Sequence, residues 1–391
     1  MSKTENNGEK YSMDEKTLIE EYKWLHRHPE LGRKEYETTA HLKDLLRQNG
    51  IRLLETGLET GTIAVIGNGD GPVVGLRCDI DALPIREETG LPYASENDGL
   101  MHACGHDFHA ACMLGVAVFL KEREKQLRGT VKVIFQPAEE NDDGGRSVVA
   151  TGLLNDVKVF YAGHTYPWLE PGTLGIRPGP LMAGADRFSI RLTGRGAHAA
   201  HPELSVDVIP AAAALVQSLQ TIVSRTVSPF DSAVVSVTSI RAGKTWNIIP
   251  EEAVLEGTVR ALIPSVRDRI QKQLERIAGG IALAYGCKAD CQYHRGPDPV
   301  INDESACGRA SVLAREMGFN VVQQDPVMGS EDFSEYLAIA PGAFIRVGTG
   351  GRIDAHTPKY AVDPAALYPA ARFFAALAEK ELARMDGQKD D

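Results

Sequence analysis

The 391-residue sequence predicts an α/β fold, in which a first domain with a mainly parallel sheet and helices on both faces is split around an inserted α+β domain. Three observations predict this arrangement. A chain of this length exceeds one ordinary hydrophobic core. Helix and strand patterns alternate over its first part, and the pattern changes between 182 and 298. We therefore expect one domain over 1–181 and 299–391, and a second over 182–298.

The first domain begins with two amphipathic helix patterns, MDEKTLIEEYKWLHRHPELG and YETTAHLKDLLRQNG, which end at Pro29 with Gly32 and at Gly50. Four β-rich runs follow: GTIAVIG, PVVGLRCDIDALPI, GTVKVIFQPAEE and VKVFYAGHTYP. HAACMLGVAVFLKEREKQL is a helix pattern between two of them. Alternating strands and helices predict a mainly parallel sheet, and functional residues collect beyond the carboxyl ends of its strands.

The inserted domain has a different pattern. ADRFSIRLTGRGAHAAHPE is an alternating strand followed by a glycine-rich turn, and VDVIPAAAALVQSLQTIVSR is an amphipathic helix. SAVVSVTSIRAGKTWNIIPEEAVLEGTVRALI indicates two or three antiparallel strands, and SVRDRIQKQLERIAGGIALAYG a second helix. The apolar strand in GAFIRVGTGGRIDAHTP then returns the chain to the first domain. Two helices against a small antiparallel sheet make a compact α+β unit.

Polar side chains follow four of the predicted strands where each strand ends. These side chains are Asp79 and Asp81, Glu139 and Glu140, His164, and His356. A lone histidine there is typical of a loop, and paired glutamates are typical of a solvated helix start. Their coincidence with Cys104 and His106 of MHACGHDFHA favours a ligand shell for two metals. Imidazole, carboxylate and thiolate together suit zinc, manganese, cobalt or nickel.

Composition and charge limit the partners and the location. The formal charge of −11 argues against nucleic acid or an anionic membrane as the main partner. The first 16 residues lack the apolar region of an export signal, and no apolar run approaches the roughly 20 residues that cross a bilayer. Six cysteines without a regular framework predict a reducing cytoplasm, with Cys287 and Cys291 as free thiols.

Nine stretches together make the sequence resemble one enzyme family. They are HRHPELG, RCDIDALPI, MHACGHDFHAA, FQPAEE, GHTYP, GRGAHAAHPE, WNIIPEEAVLEGTVR, GSEDF and DAHTP, which run in family order over about 22–375. The sequence resembles the amidohydrolase branch of the aminoacylase and carboxypeptidase G-like metallopeptidases. That branch includes hippurate hydrolases and hydrolases of indole-acetyl-amino-acid conjugates.

The resemblance implies a set of site residues. Two divalent metals would be held by Cys104, His106, Glu140, His164 and His356, with Cys104 bridging them. Glu139 would be the general base, and His198, Asn247 and Arg260 would contact the substrate. The wider superfamily has a ligating histidine at the position of Asp79. We therefore expect that Asp79 is not a ligand and that Asp81 orients one. Manganese is the metal that the resemblance implies, and zinc, cobalt or nickel also fit the donors.

The expected reaction is hydrolysis of an N-acyl amino acid, with an acetyl or aromatic acyl group, into a carboxylic acid and an amino acid. The same metal site would also suit a dipeptidase or carboxypeptidase. Two alternatives stay open: Cys104 as a nucleophile with a histidine base, and structural metals in a binding module. Tyr166, Trp168 and Trp246 are equally compatible with an acyl pocket and with the core.

The resemblance also implies an assembly. Relatives dimerise through the inserted domain, and we expect the same homodimer here, because a small α+β unit leaves an edge strand and a helix face to cover. In some relatives the histidine that matches His198 enters the neighbour's site. The alternative is that His198 closes over the site of its own chain.

Overall fold

The computed structural model describes residues 13–67, 69–141 and 143–387. Its helices are α1 Glu15–Arg27, α2 Tyr36–Gln48, α3 His106–Glu122, α4 Gly144–Val149, α5 Val208–Thr226, α6 Pro264–Tyr285, α7 Glu304–Glu316, α8 Ser334–Leu337 and α9 Leu367–Gly387. Its strands are β1 Arg52–Leu53, β2 Thr62–Gly67, β3 Val73–Asp79, β4 Thr130–Gln136, β5 Val157–Tyr166, β6 Thr173–Gly175, β7 Gly179–Met182, β8 Gly184–Thr193, β9 Ala197–His198, β10 Ala233–Ala242, β11 Ile248–Ile249, β12 Glu252–Ala261, β13 Lys288–Arg295, β14 Val300–Asn302, β15 Asn320–Val322 and β16 Gly342–Gly348.

The described residues form two compact units. Unit 1 comprises those within Met1–Gly179, Asn302–Gln324 and Glu335–Asp391, and unit 2 comprises Pro180–Ile301 and Asp325–Ser334. The main difference from the expected ranges is 325–334, which we placed in the first domain. This segment hydrogen bonds within unit 2, since Val327 N donates to Leu181 O at 2.9 Å. Such a pairing between distant parts of the chain leaves no periodic pattern in the sequence.

Unit 1 is built on an eight-stranded sheet of order β1-β2-β4-β3-β5-β16-β6-β15. The four central strands run parallel, whereas β1 and β2 at one edge are antiparallel to their neighbours and β6 is antiparallel to β16. Strands β3, β4 and β16 are buried along their whole length. Continuous burial fits a parallel sheet that is covered on both faces, so the mainly parallel α/β fold is confirmed.

Helix α3 lies at the centre of the unit 1 core. Each of its first 15 residues, His106 to Leu120, is buried, and it contacts α1, α9 and β3. A helix that is apolar on all sides has to be enclosed, which explains the near-absence of polar residues after its first turn. The amphipathic α1 covers it from outside and begins at Asp14, whose side chain accepts a hydrogen bond from Thr17 N at 2.8 Å.

Unit 2 has a four-stranded antiparallel sheet of order β10-β12-β8-β13 with α5 and α6 packed on it. Its own core consists of residues from α5, α6, β8, β10 and β12. Two further short strands, β9 and β11, pair antiparallel and place His198 opposite Ile248. Helix α6 ends at Gly286, whose left-handed φ of 70° favours glycine there. The elements of unit 2 therefore include the two helices and the antiparallel strands that the sequence predicts.

The structure bears on two expectations, one about the cysteines and one about membrane-spanning helices. The six cysteines, Cys287 and Cys291 among them, are free thiols. Among the described helices, none combines the length and the apolar character that a membrane crossing requires.

Candidate metal centre

The start of α3 and the residues just before it present two of the predicted ligands together. The sequence predicted a helix from His109, but α3 begins at His106. Gly105 at its N-cap adopts φ 85°, and a Cβ there would lie only 2.5 Å from Thr165 Oγ1. Glycine therefore allows the tight turn that places Cys104 just before the helix and His106 in its first turn.

Cys104, His106 and His164 form one possible ligand set. Their Sγ and imidazole nitrogen atoms lie within 4.8 Å of one another, and Cys104 Sγ is 3.5 Å from His164 Nε2. His164 lies on β5, and its Nδ1 is 2.8 Å from Thr165 O, so this nitrogen donates the hydrogen bond. The proton on Nδ1 leaves Nε2 as a lone-pair donor on the side of Cys104.

Cys104, Glu140 and His356 form a second set with the same spacing limit. His356 Nε2 lies 3.2 Å from Glu140 Oε1. The backbone of His356 adopts a left-handed φ of 63°, and its N–H donates to Ala103 O at 2.8 Å. This bond ties the His356 loop to the Cys104 segment. Because Cys104 belongs to both sets, its sulfur lies where one atom can serve two ions.

Asp81 contacts one residue of each candidate ligand set. Its carbonyl oxygen lies 2.9 Å from His106 Nδ1, and its Oδ1 lies 3.2 Å from the same nitrogen. Its Oδ2 accepts a hydrogen bond from Glu140 N at 3.0 Å. One carboxylate thus fixes the ring of His106 and the backbone of Glu140, an arrangement typical of residues that orient metal ligands.

Asp79 hydrogen bonds to Arg77 and His109, and its Oδ2 also lies 3.7 Å from Nε2 of the predicted ligand His106. Its Oδ2 accepts from Arg77 Nη1 at 2.7 Å, and its Oδ1 lies 2.5 Å from His109 Nδ1. Thr165 N donates to His109 Nε2 at 2.8 Å, so the proton of the neutral His109 ring is on Nδ1 and is donated to Asp79. Burial disfavours the charged form of Asp79, but His106, His109 and Arg77 outweigh it and hold its pKa well below its usual range. Both oxygens of Asp79 therefore have a donor.

Protonation of the candidate ligands follows from burial and charge. Burial, with the charge of Glu140, raises the pKa of the Cys104 thiol to about 12. Burial lowers the pKa of His164 well below its usual value. Burial also disfavours charge on His106, but Asp79 and Asp81 outweigh it and raise its pKa well above normal. Binding of a metal must displace the protons of Cys104 and His106, which makes metal affinity pH-dependent.

A buried nitrogen of His106 is a second indication that these residues suit divalent metals. The Nε2 atom of His106 is buried and has no hydrogen-bond partner among the described residues. A buried ring nitrogen without a hydrogen-bond partner costs free energy, and binding of a metal in place of its proton would remove that cost. Its neighbours are a thiol and carboxylates, including Glu139, whose oxygen lies within 4.8 Å of the donor atoms of His106 and Glu140. Nitrogen, sulfur and oxygen donors around one point are the ligands of zinc and related ions.

The three predicted substrate-contacting residues belong to unit 2. His198 is exposed on β9, and Asn247 O accepts a hydrogen bond from the next residue, Ala199, at 3.0 Å. His198 Nδ1 accepts from Ala200 N at 3.0 Å, so the proton of the neutral ring is on Nε2. Arg260, on β12, donates from Nη1 to Ser330 Oγ at 3.1 Å. His198 and Asn247 are thus neighbours in the β9–β11 turn region, whereas Arg260 extends from the sheet.

Some contacts around the centre escaped the sequence analysis. Glu35 is buried and accepts a hydrogen bond from Ala138 N, next to Glu139, at 2.8 Å. His26 is also buried and bonds to Asp107. An acid before a helix and a histidine at a helix end are ordinary sequence features, so neither gave a signal. Of the three aromatic candidates, Trp246 is 91% exposed and is not a core residue.

The chain is similar in sequence and in structure to metal-dependent peptidases and amidohydrolases. Residues 75–380 match the model of Peptidase family M20/M25/M40. The chain is 42% identical over 381 residues to N-acetyl-L-cysteine deacetylase of Bacillus subtilis, covering 97% of this chain and 92% of that protein. It is 36% identical to IAA-amino acid hydrolase ILR1-like 5 of Arabidopsis thaliana, covering 92% and 85%. The crystal structure of the Bacillus subtilis YXEP protein, described as a dinuclear metal binding peptidase, matches with a TM-score of 0.86 at 41% identity, covering 94% and 98%.

Proposed function

This chain belongs to peptidase family M20/M25/M40, and we propose that its metal centre hydrolyses the amide bond of N-acyl amino acids through the residues assigned below. The products are a carboxylic acid and a free amino acid. The relatives named above are an N-acetyl-L-cysteine deacetylase and an IAA-amino acid hydrolase. The chain is a metal-dependent hydrolase of linear amides that binds two divalent metals. The observation that carries the assignment is the pair of donor sets that share Cys104.

The proposed ligands divide between the two metals according to these sets. One metal would be held by Cys104, His106 and His164, and the other by Cys104, Glu140 and His356, whose donor atoms lie within 4.8 Å of one another in each set. Two bound metals would supply Lewis acidity, which would lower the pKa of the attacking water and polarise the amide carbonyl. We propose manganese as the native metal on the family resemblance, although the donors also suit zinc, cobalt or nickel.

Glu139 is the proposed general base. It is next in sequence to Glu140, and its carboxylate lies within 4.8 Å of the donor atoms of His106 and Glu140. A carboxylate at that position can take the proton of the attacking water and later pass it to the departing amine nitrogen. Glu139 follows the same strand as the proposed ligand Glu140, but in this role it does not bind a metal.

His198 is the proposed donor to the oxygen that becomes negative in the transition state. The proton on its Nε2 supports this role, because a donor is what the developing charge requires. Asn247 and Arg260 are proposed to bind the free α-carboxylate of the substrate. A guanidinium forms strong, charge-assisted hydrogen bonds with a carboxylate. The site would therefore favour substrates whose amino acid has a free α-carboxylate.

A nucleophilic role for Cys104 is less well supported. A nucleophilic cysteine has to be a thiolate near neutral pH. Burial raises the pKa of the Cys104 thiol to about 12, which keeps it protonated when no metal is bound. A neighbouring metal would supply the missing stabilisation of the thiolate, and the sulfur would then be a ligand.

We propose a homodimer formed through unit 2. Strand β10 lies at the edge of its sheet, and edge strands offer unpaired backbone groups to a partner. Ile240 on this strand is 53% exposed, which supports an interface at that edge. The six free thiols support a location in the cytoplasm, where thiols stay reduced.

A hydrolysis screen after metal removal tests the proposed function. The purified protein is treated with a chelator, shown to be metal-free, and reloaded separately with manganese, zinc, cobalt or nickel. Each preparation is assayed on N-acetyl, N-benzoyl and N-indoleacetyl amino acids and on a dipeptide. We expect chelation to abolish hydrolysis and a divalent ion to restore it on an N-acyl amino acid. Full activity of the metal-free protein would refute the proposal, and preference for the dipeptide would replace it by a peptidase.

A further inference from the structure

A buried carboxyl group in unit 1 contacts the turn that carries Glu139. Glu35 precedes α2 and is 0% exposed. Its Oε1 accepts a hydrogen bond from Ala138 N at 2.8 Å, and its Oε2 accepts one from Thr60 Oγ1 at 2.8 Å. Burial raises the pKa of Glu35. A buried carboxyl group is costly to desolvate, so its place beside this turn calls for an explanation beyond packing.

Ala138 is an unusual residue at the start of this turn. It adopts a left-handed φ of 56°, a conformation that is unfavourable for a residue with a side chain. Its carbonyl accepts hydrogen bonds from Asn141 N at 3.3 Å and Gly144 N at 3.2 Å, so the turn closes around Ala138. The backbone direction at Ala138 sets where the following Glu139 and Glu140 project. The hydrogen bond from Ala138 N to the carboxylate of Glu35 stabilises Ala138 in this strained conformation.

The surroundings of the turn leave it little freedom to adjust. A Cβ on Gly32 would lie 3.1 Å from Ala138 Cα and would collide with the side chain of Asn141. Glycine at position 32 thus allows the N-terminal segment to pack directly on the turn. Glu35 approaches Ala138 from this same segment, so a change in its side chain cannot be absorbed by a simple shift of the backbone.

We propose that Glu35 is a positioning residue for Glu139: by fixing Ala138, it aims the base at the attacking water. This inference rests on the proposed function, in which Glu139 is the base. Glu35 itself does not contact the substrate or the metals in this scheme. Its effect is therefore on turnover, and binding of the metals depends on other groups, chiefly Asp81, which holds Glu140 N at 3.0 Å.

The test compares two substitutions of Glu35 with a matched control. Glu35→Leu removes both acceptors, whereas Glu35→Gln keeps an oxygen for Ala138 N and an amide group for the hydroxyl of Thr60. Glu30 is the control, since its carboxylate also accepts two hydrogen bonds in the same segment, from Glu37 N and Thr38 N at the start of α2. Metal content, melting temperature, kcat and KM are measured for Glu35→Leu, Glu35→Gln and Glu30→Leu.

We expect Glu35→Leu to retain two metals per chain and to lose kcat about 100-fold, since misplacing a catalytic group by about 1 Å has an effect of that size. Glu35→Gln should stay within a few-fold of the wild type in kcat. Glu30→Leu should lower the melting temperature without a comparable loss of kcat. If Glu30→Leu and Glu35→Leu lose kcat equally, or if Glu35→Leu loses metal in proportion to kcat, the positioning role is wrong.

A double substitution separates this inference from the proposed function. In a Glu139→Gln background the base is already gone, so adding Glu35→Leu should cause no further loss of kcat. A multiplied loss would show that Glu35 acts on something other than Glu139. If Glu139→Gln alone keeps full activity, the proposed function is wrong at that residue. Should Glu35→Leu fail to fold, Thr60→Val removes one hydrogen bond of Glu35, and its smaller loss of kcat should likewise vanish in the Glu139→Gln background.

Discussion

His26 and Asp107 form a buried pair in which His26 Nδ1 lies 2.6 Å from Asp107 Oδ2. The other ring nitrogen, Nε2, lies 3.1 Å from Glu87 Oε1. With a carboxylate at each nitrogen, the ring is most stable when both nitrogens carry protons. Burial disfavours this charge, but Asp107 and Glu87 outweigh it and raise the pKa of His26 to about 9. The pair joins the end of α1 to the first turn of α3, directly behind His106.

This pair predicts that stability depends on pH. A raised pKa in the folded protein stabilises it fully below the unfolded value of 6.5, and the contribution is lost as pH rises through about 9. The shift corresponds to about 3 kcal/mol at 1.36 kcal/mol per unit. We expect His26→Gln to lower the free energy of unfolding of the metal-saturated protein by about that amount at pH 6, and by much less at pH 9.5. Denaturant unfolding at the two pH values measures the difference.

A partner substitution provides the control. Glu87→Gln removes one of the two carboxylates that stabilise the charged ring and should reduce the pH-dependent part of the difference. A loss of stability in His26→Gln that is the same at pH 6 and pH 9.5 would mean that the ring packs as a neutral group.

Asp79 predicts a second outcome, which concerns metal content. Its two oxygens accept from Arg77 and His109, so we expect Asp79→Asn to keep two metals per chain. The same substitution should lower the free energy of unfolding by about 3 kcal/mol, because it leaves the buried Arg77 without its carboxylate. Elemental analysis and denaturant unfolding measure the two effects. His106→Gln is the matched control and should lose metal. Loss of one metal from Asp79→Asn would make Asp79 a ligand.

Glu139 and Glu140 predict a third outcome, since they are chemically alike but have different proposed roles. Glu139→Gln should keep both metals and lose about a thousandfold in kcat, because only the proton acceptor has gone. Glu140→Gln should lose metal as well as activity. Elemental analysis alongside steady-state kinetics decides between them. Equal metal content and equal loss of kcat in the two variants would contradict the assignment.

The sequence could bring the proposed ligands together because they follow simple local rules. Glu140 follows the buried strand β4, His164 lies near the end of β5, and Cys104 and His106 share one short motif. Such positions can be recognised one element at a time. The supporting contacts could not be predicted in this way. Glu35 reaches Ala138 across 103 positions of the chain, and His26 reaches Asp107 across 81. These partners therefore come together only when α1 packs on α3 and the segment before α2 packs beside the end of β4.

The same reasoning explains why the expected domain ranges differ from the two units at 325–334. Residues 325–334 belong to unit 2 because their backbone pairs with the chain near Leu181 and Ala183. A segment with no regular periodicity carries no local sign of the sheet or loop on which it packs. The strands before it and after it belong to unit 1, and the sequence pattern therefore assigned the whole C-terminal range to one domain.

The last prediction concerns which chain receives the side chain of His198. This residue is exposed on β9 with the proton of its neutral ring on Nε2, so it can donate to a group outside its own turn. If the proposed dimer forms through unit 2, His198 can serve the partner's centre. Mixing Glu139→Gln with His198→Ala tests this, because in a mixed dimer one site would combine an intact Glu139 with an intact His198 from the other chain. The second site of that dimer would lack both.

Random re-pairing of equal amounts places half of the chains in mixed dimers, so roughly a quarter of all sites should be whole. We therefore expect two nearly inactive variants to recover about a quarter of wild-type activity after mixing, at a rate set by subunit exchange. Mass spectrometry of one isotopically labelled variant confirms that exchange has taken place. Complete exchange without recovered activity would show that His198 acts on its own chain. In that case each site of a mixed dimer would still carry one of the two substitutions.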